Sequence, residues 1–321
     1  MVSKKTISVG IVISVGAGIL LGVIFLPQLV RGIHVGYDIC IQDNYAFVST
    51  NDGVSIYDIA TPRNTRRISR ISINDGAGGI VLDNDLAYIA GDSEGLVIVN
   101  ISNIENPRII SSTTLTHGAY KLRVEKNLAY ISMHGSGFNI LNISDPSSPS
   151  KVGTFLTTGG RGNDIAIKGE YAYYSVPESG LMVVDLTNPS SPQLIRTVSN
   201  TRGAWDIHIY GKLLYLSCHW MGVRIVDISK PASPSVIATY TKSGGEAYGV
   251  CGNATIINVA DLQQGTYTLN ITDPQHPKEI AQNTNAAPHD VWIDDQHVFL
   301  ADQDRELIIL DISLNILYTA Y

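Results

Sequence analysis

The chain has 321 residues, of which 44% are hydrophobic and only 16% charged, and its formal net charge is −7. Its one basic cluster is the short stretch holding Arg63, Arg66, Arg67 and Arg70. That excludes a nucleic-acid partner, whose phosphates demand a broad basic surface. Cys40, Cys218 and Cys251 lie far apart with no C-x-x-C pair, so they supply neither a disulfide framework nor a zinc site.

At the N-terminus, Lys4 and Lys5 precede an uncharged apolar run over residues 7–26. Twenty residues at ~1.5 Å each span ~30 Å, the hydrocarbon thickness of a bilayer. A secretory signal has a shorter core and a small-x-small cleavage site, whereas Phe25, Leu26, Pro27 and Gln28 follow here. Residues 1–32 are therefore expected to form a cytosolic tip and an uncleaved transmembrane signal anchor. The lysines place the remainder on the extracytoplasmic side of the cell membrane, as a single-pass protein.

From there the chain repeats. Residues 53–59, 95–101, 137–143, 180–186, 222–228 and 265–271 read GVSIYDI, GLVIVNI, GFNILNI, GLMVVDL, GVRIVDI and GTYTLNI, and ELIILDI follows at 306–312. The Asp or Asn in each falls at Asp58, Asn100, Asn142, Asp185, Asp227, Asn270 and Asp311, at intervals of 42, 42, 43, 42, 43 and 41. Each repeat holds four short runs rich in Val, Ile, Leu and Tyr between polar turns, as at 205–209, 213–217, 223–228 and 236–240. Four antiparallel strands per repeat make one blade, which cannot bury both faces alone, so neighbours must stack into a ring. The expected fold is all-β: a seven-bladed β-propeller of four-stranded antiparallel blades over residues 33–321, preceded by the one transmembrane helix. The blades are expected near 33–74, 75–117, 118–159, 160–201, 202–244, 245–286 and 287–321.

The third-to-fourth strand link carries prolines, as at Pro146 and Pro149, Pro189 and Pro192, and Pro231 and Pro234. Proline fixes φ and offers no N–H, so it stops one strand and stiffens the corner. The preceding Asp or Asn can bond the turn's backbone. Asn100, Asn142, Asn253 and Asn270 begin N-x-Ser/Thr sequons, and Asn253, in a hairpin turn, reads as the better acceptor. GLVIVN at 95–100, GLMVVDL at 180–186 and GVRIVDIS at 222–229, each followed by a proline corner, resemble the LVIVD repeat. The resemblance spans all seven repeats and implies a β-propeller, exported or attached to the surface of a bacterial or archaeal cell. It brings no catalytic motif. The first repeat has Thr65 in place of the second proline, and the seventh lacks the corner. The last strand is expected from the C-terminal tail.

Positions at equal offsets form rings on one face of a propeller. Twenty-one residues before each repeat Asp or Asn (20 in the first) lie Asp38, Gly79, Lys121, Asp164, Asp206, Gly249 and Asp290. Just before these lie Tyr37, Gly78, Tyr120, Asn163, Trp205, Tyr248 and His289, and two after them Cys40, Val81, Arg123, Ala166, His208, Cys251 and Trp292. A third ring, from second-to-third strand turns, includes His134 and His219. The candidate binding residues at this channel mouth are Asp38, Lys121, Arg123, Asp164, Asp206, His208, His289, Asp290, His134 and His219. The aspartates read either as ligands of a cation or small polar molecule, or as caps that bond backbone N–H groups of the loop entering strand one. Lys121, Arg123, His208 and His289 break the repeat pattern and so point more to function. Tyr37, Tyr120, Trp205 and Tyr248 read either as a stacking surface for a sugar or peptide or as wedges between blades. No HxH or HExxH occurs, and GDSEG at 91–95 sits in a strand-to-strand turn of the repeat rather than in a strand-to-helix elbow, so no metal, cofactor or activated serine is expected. The chain reads as a non-catalytic scaffold for a protein, peptide or glycan, tethered through residues 7–26. The alternatives are an extracytoplasmic hydrolase or lyase using Asp and His at the mouth, and a structural component assembling through blade edges.

Overall fold

The computed structural model describes residues 36–133, 135, 137–157 and 160–320. The expected anchor and His134 lie outside them. Among the described residues no helix is long and apolar enough to cross a membrane.

Seven four-stranded antiparallel sheets follow one another along the chain, each in simple consecutive order. The first blade pairs Gly36–Gln42, Tyr45–Thr50, Gly53–Asp58 and Arg66–Ser72; the seventh pairs Pro288–Ile293, His297–Asp302, Leu307–Asp311 and Ile316–Thr319. The last strand thus comes from the C-terminal tail. Second and third strands are buried on both faces, which is why they read as unbroken apolar runs. Fourth strands lie outermost, and Gln193–Thr197 is exposed throughout.

Seven apolar clusters fill the spaces between neighbouring blades. Phe47, Ile56 and Ile80, Ile89 lie between blades one and two, and Ile39, Val48 and Phe299, Ile309 between one and seven. The glycine that opens each of the first six motifs has positive φ, from 75° at Gly95 to 131° at Gly53. At five of the six a Cβ would meet the backbone of the fourth strand, as 2.2 Å from the Thr113 carbonyl at Gly95 and 1.9 Å from that of Ile71 at Gly53, and at Gly180 it would meet Thr201. Only glycine fits both requirements.

Every proline-corner Asp or Asn accepts the backbone N–H two residues on, as Asn100 does from Ser102 at 3.0 Å and Asp185 from Thr187 at 2.8 Å. Asn253 accepts from Thr255 at 2.9 Å in the same way, so its side chain is no freer than the other sequon asparagines. In the seventh blade, Asn315 bonds Asp311 and replaces the missing proline corner.

In all seven blades the pairing of third and fourth strands slips by one residue, leaving one outer residue without a ladder partner. The skipped residue is always aliphatic, as at Ile110, Ile195 and Ile280.

Candidate functional site: the channel mouth and its side cleft

The ring aspartates hold blades together. Asp38 Oδ2 accepts the N–H of Ile80 at 2.7 Å, Asp164 that of Ile207 at 3.0 Å, Asp206 that of Val250 at 2.9 Å, and Asp290 that of Ile39 at 3.2 Å. Each therefore reaches the first strand of the next blade rather than its own loop, which corrects the loop-capping reading. Strand one runs beside the axis, where the next blade's backbone is the nearer partner.

A second set of latches went unnoticed in the sequence. Ser49, Ser132, Ser175 and Ser217 stand at the ends of second strands. Ser175 Oγ accepts the Asp164 N–H at 2.8 Å and donates to the Trp205 carbonyl of the next blade at 2.5 Å. Ser132 and Ser49 reach Asn163 and Gly78 in the same way, at 2.7 and 3.2 Å. Their constant offset, ten before each repeat Asp or Asn and nine in the first, was the available signal.

The breaks in the aspartate ring have steric reasons. A Cβ on Gly79 would lie 2.9 Å from Lys121 Cα and 3.2 Å from its Cδ, so glycine leaves Lys121 a path across blade two. Lys121 Nζ then pairs with Asp38 and stands 3.9 Å from Asp290. On Gly249 a Cβ would lie 2.7 Å from Asp290 Cα. Arg123 pairs with Asp164 at 3.0 Å.

Burial and charge set the proton positions. Burial would lower the Lys121 ammonium, but Asp38 and Asp290 raise it above the ordinary lysine value. Burial would raise Asp38, yet Lys121 and the hydrogen bond with Asp290 hold it low. Asp290 is pushed well above the carboxylate range by burial and by Asp38. Burial and the Asp164 charge lift Asp206 to about 7. Burial lowers His208, His219 and His289 each to about 4, assisted by Arg123 at His208 and Lys121 at His289. All three imidazoles are thus neutral at pH 7.

The mouth itself is a well of about 20 Å³, bordered by Lys121, Asp164, Asp206, Tyr248 and His289 among others. That is room for one water. Rings form a belt around it: Tyr37 lies 5.6 Å from His289, His289 5.5 Å from Tyr248, Tyr248 4.6 Å from His219, and His219 4.2 Å from Trp205. His208 sits deeper, stacked on Tyr215 at 6.2 Å. Among the described residues no three His, Cys, Asp or Glu side chains are grouped to hold a metal ion.

The larger space opens beside the well. A cleft of about 670 Å³ lies over blades four and five, between Trp205, His219, Trp220 and Met221 on one side and Tyr120, Asn163 and Glu178 on the other. Of the candidate binding residues only His219 lines it, joined by Tyr120 and Trp205 from the aromatic set read either as a stacking surface or as wedges. Trp220, Met221, Arg161, Arg202 and Glu178 were missed. Equivalent turn tips read Ser93-Glu94, Gly135-Ser136 and Glu178-Ser179, so Trp220-Met221 was a visible departure.

A family model for the LVIVD repeat matches residues 76–114, 118–157, 159–200, 201–242 and 287–314. The chain belongs to the LVIVD repeat family. The matches fall on the second to fifth and the seventh blades of this LVIVD propeller. The first and sixth blades fold alike without a match, and the sixth carries Thr266 and Thr268 where the others have apolar residues. No curated protein matches the chain. Among solved structures, the β-propeller domain of Myceliophteria thermophila Cps50 (Swd1) is similar, with TM-score 0.70 and 9% identity over 89% of this chain and 99% of that one. The computationally designed Ika8 protein is similar too, with TM-score 0.65 and 8% identity over 87% of this chain and 96% of that one. Identities this low speak for the fold alone.

Proposed function

We propose that this LVIVD propeller is a membrane-tethered, extracytoplasmic binding scaffold that takes a protein, peptide or glycan at its mouth face without transforming it. The cleft of about 670 Å³ carries this reading, with Trp220 standing 68% exposed at its lip. Exposed tryptophan beside a concave, mixed-polarity wall is the composition of a recognition surface. The tether rests on the apolar run 7–26 and the lysines before it.

One observation favours the hydrolase or lyase alternative: Asp206, at about 7, is poised to exchange protons near neutrality. The size of the well weighs against it. Its carboxylates already bond backbone N–H groups or cations, and the space between them admits one water rather than a substrate.

The test places a photo-crosslinking residue at position 220 and, separately, at Ile280 on an outer strand, where 59% of the residue is exposed. Adducts in intact cells are expected from 220 and not from 280. Adducts from 280 alone would move binding to the blade edges. For the tether, the full chain is expected to stay with membranes through alkaline carbonate washing and to be cut by protease added outside intact cells. Release by carbonate would remove the anchor.

A further inference from the structure

The side cleft has features that the latches do not explain. Arg161 and Arg202 border it against a single carboxylate, Glu178, in a chain whose net charge is −7. Arg202 Nε is held by the Glu178 carbonyl at 3.1 Å, which fixes its guanidinium beside the cleft. At the junction of cleft and well, Asn163 is 7% exposed, and its Nδ2 is buried without a hydrogen-bond partner. His219 Nε2, in the same wall, is also buried and unmatched. Buried polar groups of this kind are costly when nothing completes them. A wall with two unmatched polar atoms close under its surface, beside an exposed tryptophan, suits a ligand that brings hydroxyls and an apolar side together.

We propose that the cleft binds an acidic carbohydrate, a short pyranose chain bearing carboxylates. This deepens the binding-scaffold reading and rests on it. The C–H face of a sugar ring packs flat on an indole, as the exposed Trp220 offers. Its hydroxyls donate or accept, and so complete both Asn163 Nδ2 and His219 Nε2. Its carboxylate takes a charge-assisted pair from a guanidinium. A volume of about 670 Å³ lies within the range of small-ligand sites. A peptide bound through its main chain needs an open strand edge or a ladder of free backbone groups. The cleft walls are turns that use theirs internally: Gly203 N–H bonds the Pro177 carbonyl, Met221 N–H that of Cys218, and Gly222 N–H that of His219.

The protein supplies its own probe, since Trp205 and Trp220 line the cleft and the third tryptophan, Trp292, packs 6.0 Å from Phe299 in the core between blades seven and one. The full chain in detergent is titrated with trigalacturonate, with a hyaluronan tetrasaccharide and with uncharged maltotriose, following tryptophan emission. At least one uronate oligomer is expected to quench saturably, at least tenfold tighter than maltotriose, and more weakly as salt rises. Trp220→Ala, at an exposed site that folding does not need, is expected to lose at least tenfold. Arg161→Gln with Arg202→Gln is expected to bring the uronate down to the maltotriose level. Equal binding of charged and uncharged oligomers, indifference to Trp220→Ala, or no saturable signal at millimolar sugar would each overturn the assignment. If sugars fail while the crosslinker at 220 still captures a partner in cells, the carbohydrate falls and the binding face stands. If both fail, both fall.

Discussion

Four aspartates and two cations share the buried ring around the axis, and protons settle the imbalance. Asp206 holds its proton up to about pH 7 in the folded chain. Unfolded, it releases that proton near 3.8, the ordinary value. Between these values the folded state binds more protons, so this group's contribution to stability falls as pH rises from about 4 to 7 and then levels off. Asp38 acts with the opposite sign: held low, it adds stability above the ordinary carboxylate range and loses it in acid. Asp206→Asn keeps an oxygen for the Val250 N–H while abolishing the titration. Relative to wild type, its melting temperature is expected to rise by ~2–6 °C between pH 5 and pH 8, from roughly 1–3 kcal/mol. Thermal melts at the two pH values check this. A constant difference between the proteins would place the titrating proton elsewhere, with Asp290 the next candidate.

At the scale of the strand, the latch joins an aspartate on strand one to a serine on strand two. Ser175→Ala is expected to lower stability by ~1–2 kcal/mol, because it removes the donor to Trp205 and the acceptor for Asp164 N–H. Blades two, six and seven already carry Ala90, Ala260 and Ala301 there, so alanine fits without strain. A lower urea midpoint at unchanged slope would confirm it, and an unmoved midpoint would show that the serine only fills space. The same scale explains what was legible beforehand. The opening glycine answers a local demand, positive φ against the fourth strand, and the proline corner closes on itself within two residues; both recur in register with the blade. The aspartates were visible as a column, but their partners lie 42 to 44 residues ahead for Asp38, Asp164 and Asp206, and 251 away for Asp290. No local pattern reveals those. The cleft draws on three blades: Tyr120, Asn163 and Trp205 share one ring, but the turn residues beside them lie outside it, and of these only Trp220 and Met221 departed visibly from the turns that align with theirs. The outer strands bear on assembly: a bulge in every one breaks the flat edge that another chain would pair with, which weighs against association through blade edges.

For the whole ring, first and last blades are each complete from contiguous chain, so among the described residues no shared strand seals the join. Side chains do. The apolar cluster around Ile39, Phe299 and Leu307 lies there, and Glu306 is fully buried beside it. Its carboxylate accepts the Tyr57 hydroxyl of blade one and stands 3.4 Å from Arg70 and 3.7 Å from Arg67. This gives a reason for two departures in the sequence: the seventh repeat has Glu306 where the others have glycine, and the basic stretch of blade one supplies its partners 236 residues away at Arg70. Breaking a buried pair leaves its charge uncompensated, at ~3–5 kcal/mol. Here the arginine side chains are 45% and 23% exposed at Arg67 and Arg70, so water takes up part of that loss. Glu306→Gln is therefore expected to cost about 1–3 kcal/mol, and Glu306→Gly, which restores the repeat residue, still more because Tyr57 also loses its partner. Arg66→Gln, at a pair 3.8 Å from Asp58 with the arginine 76% exposed, is expected to cost nothing measurable. Denaturant midpoints rank the three variants, and hydrogen exchange locates the weakness. Blades one and seven should exchange first in Glu306→Gln, because the join has no shared backbone ladder to fall back on. A loss of protection spread evenly over all seven blades would mean that the apolar clusters alone close the ring and that Glu306 merely answers the arginines beside it.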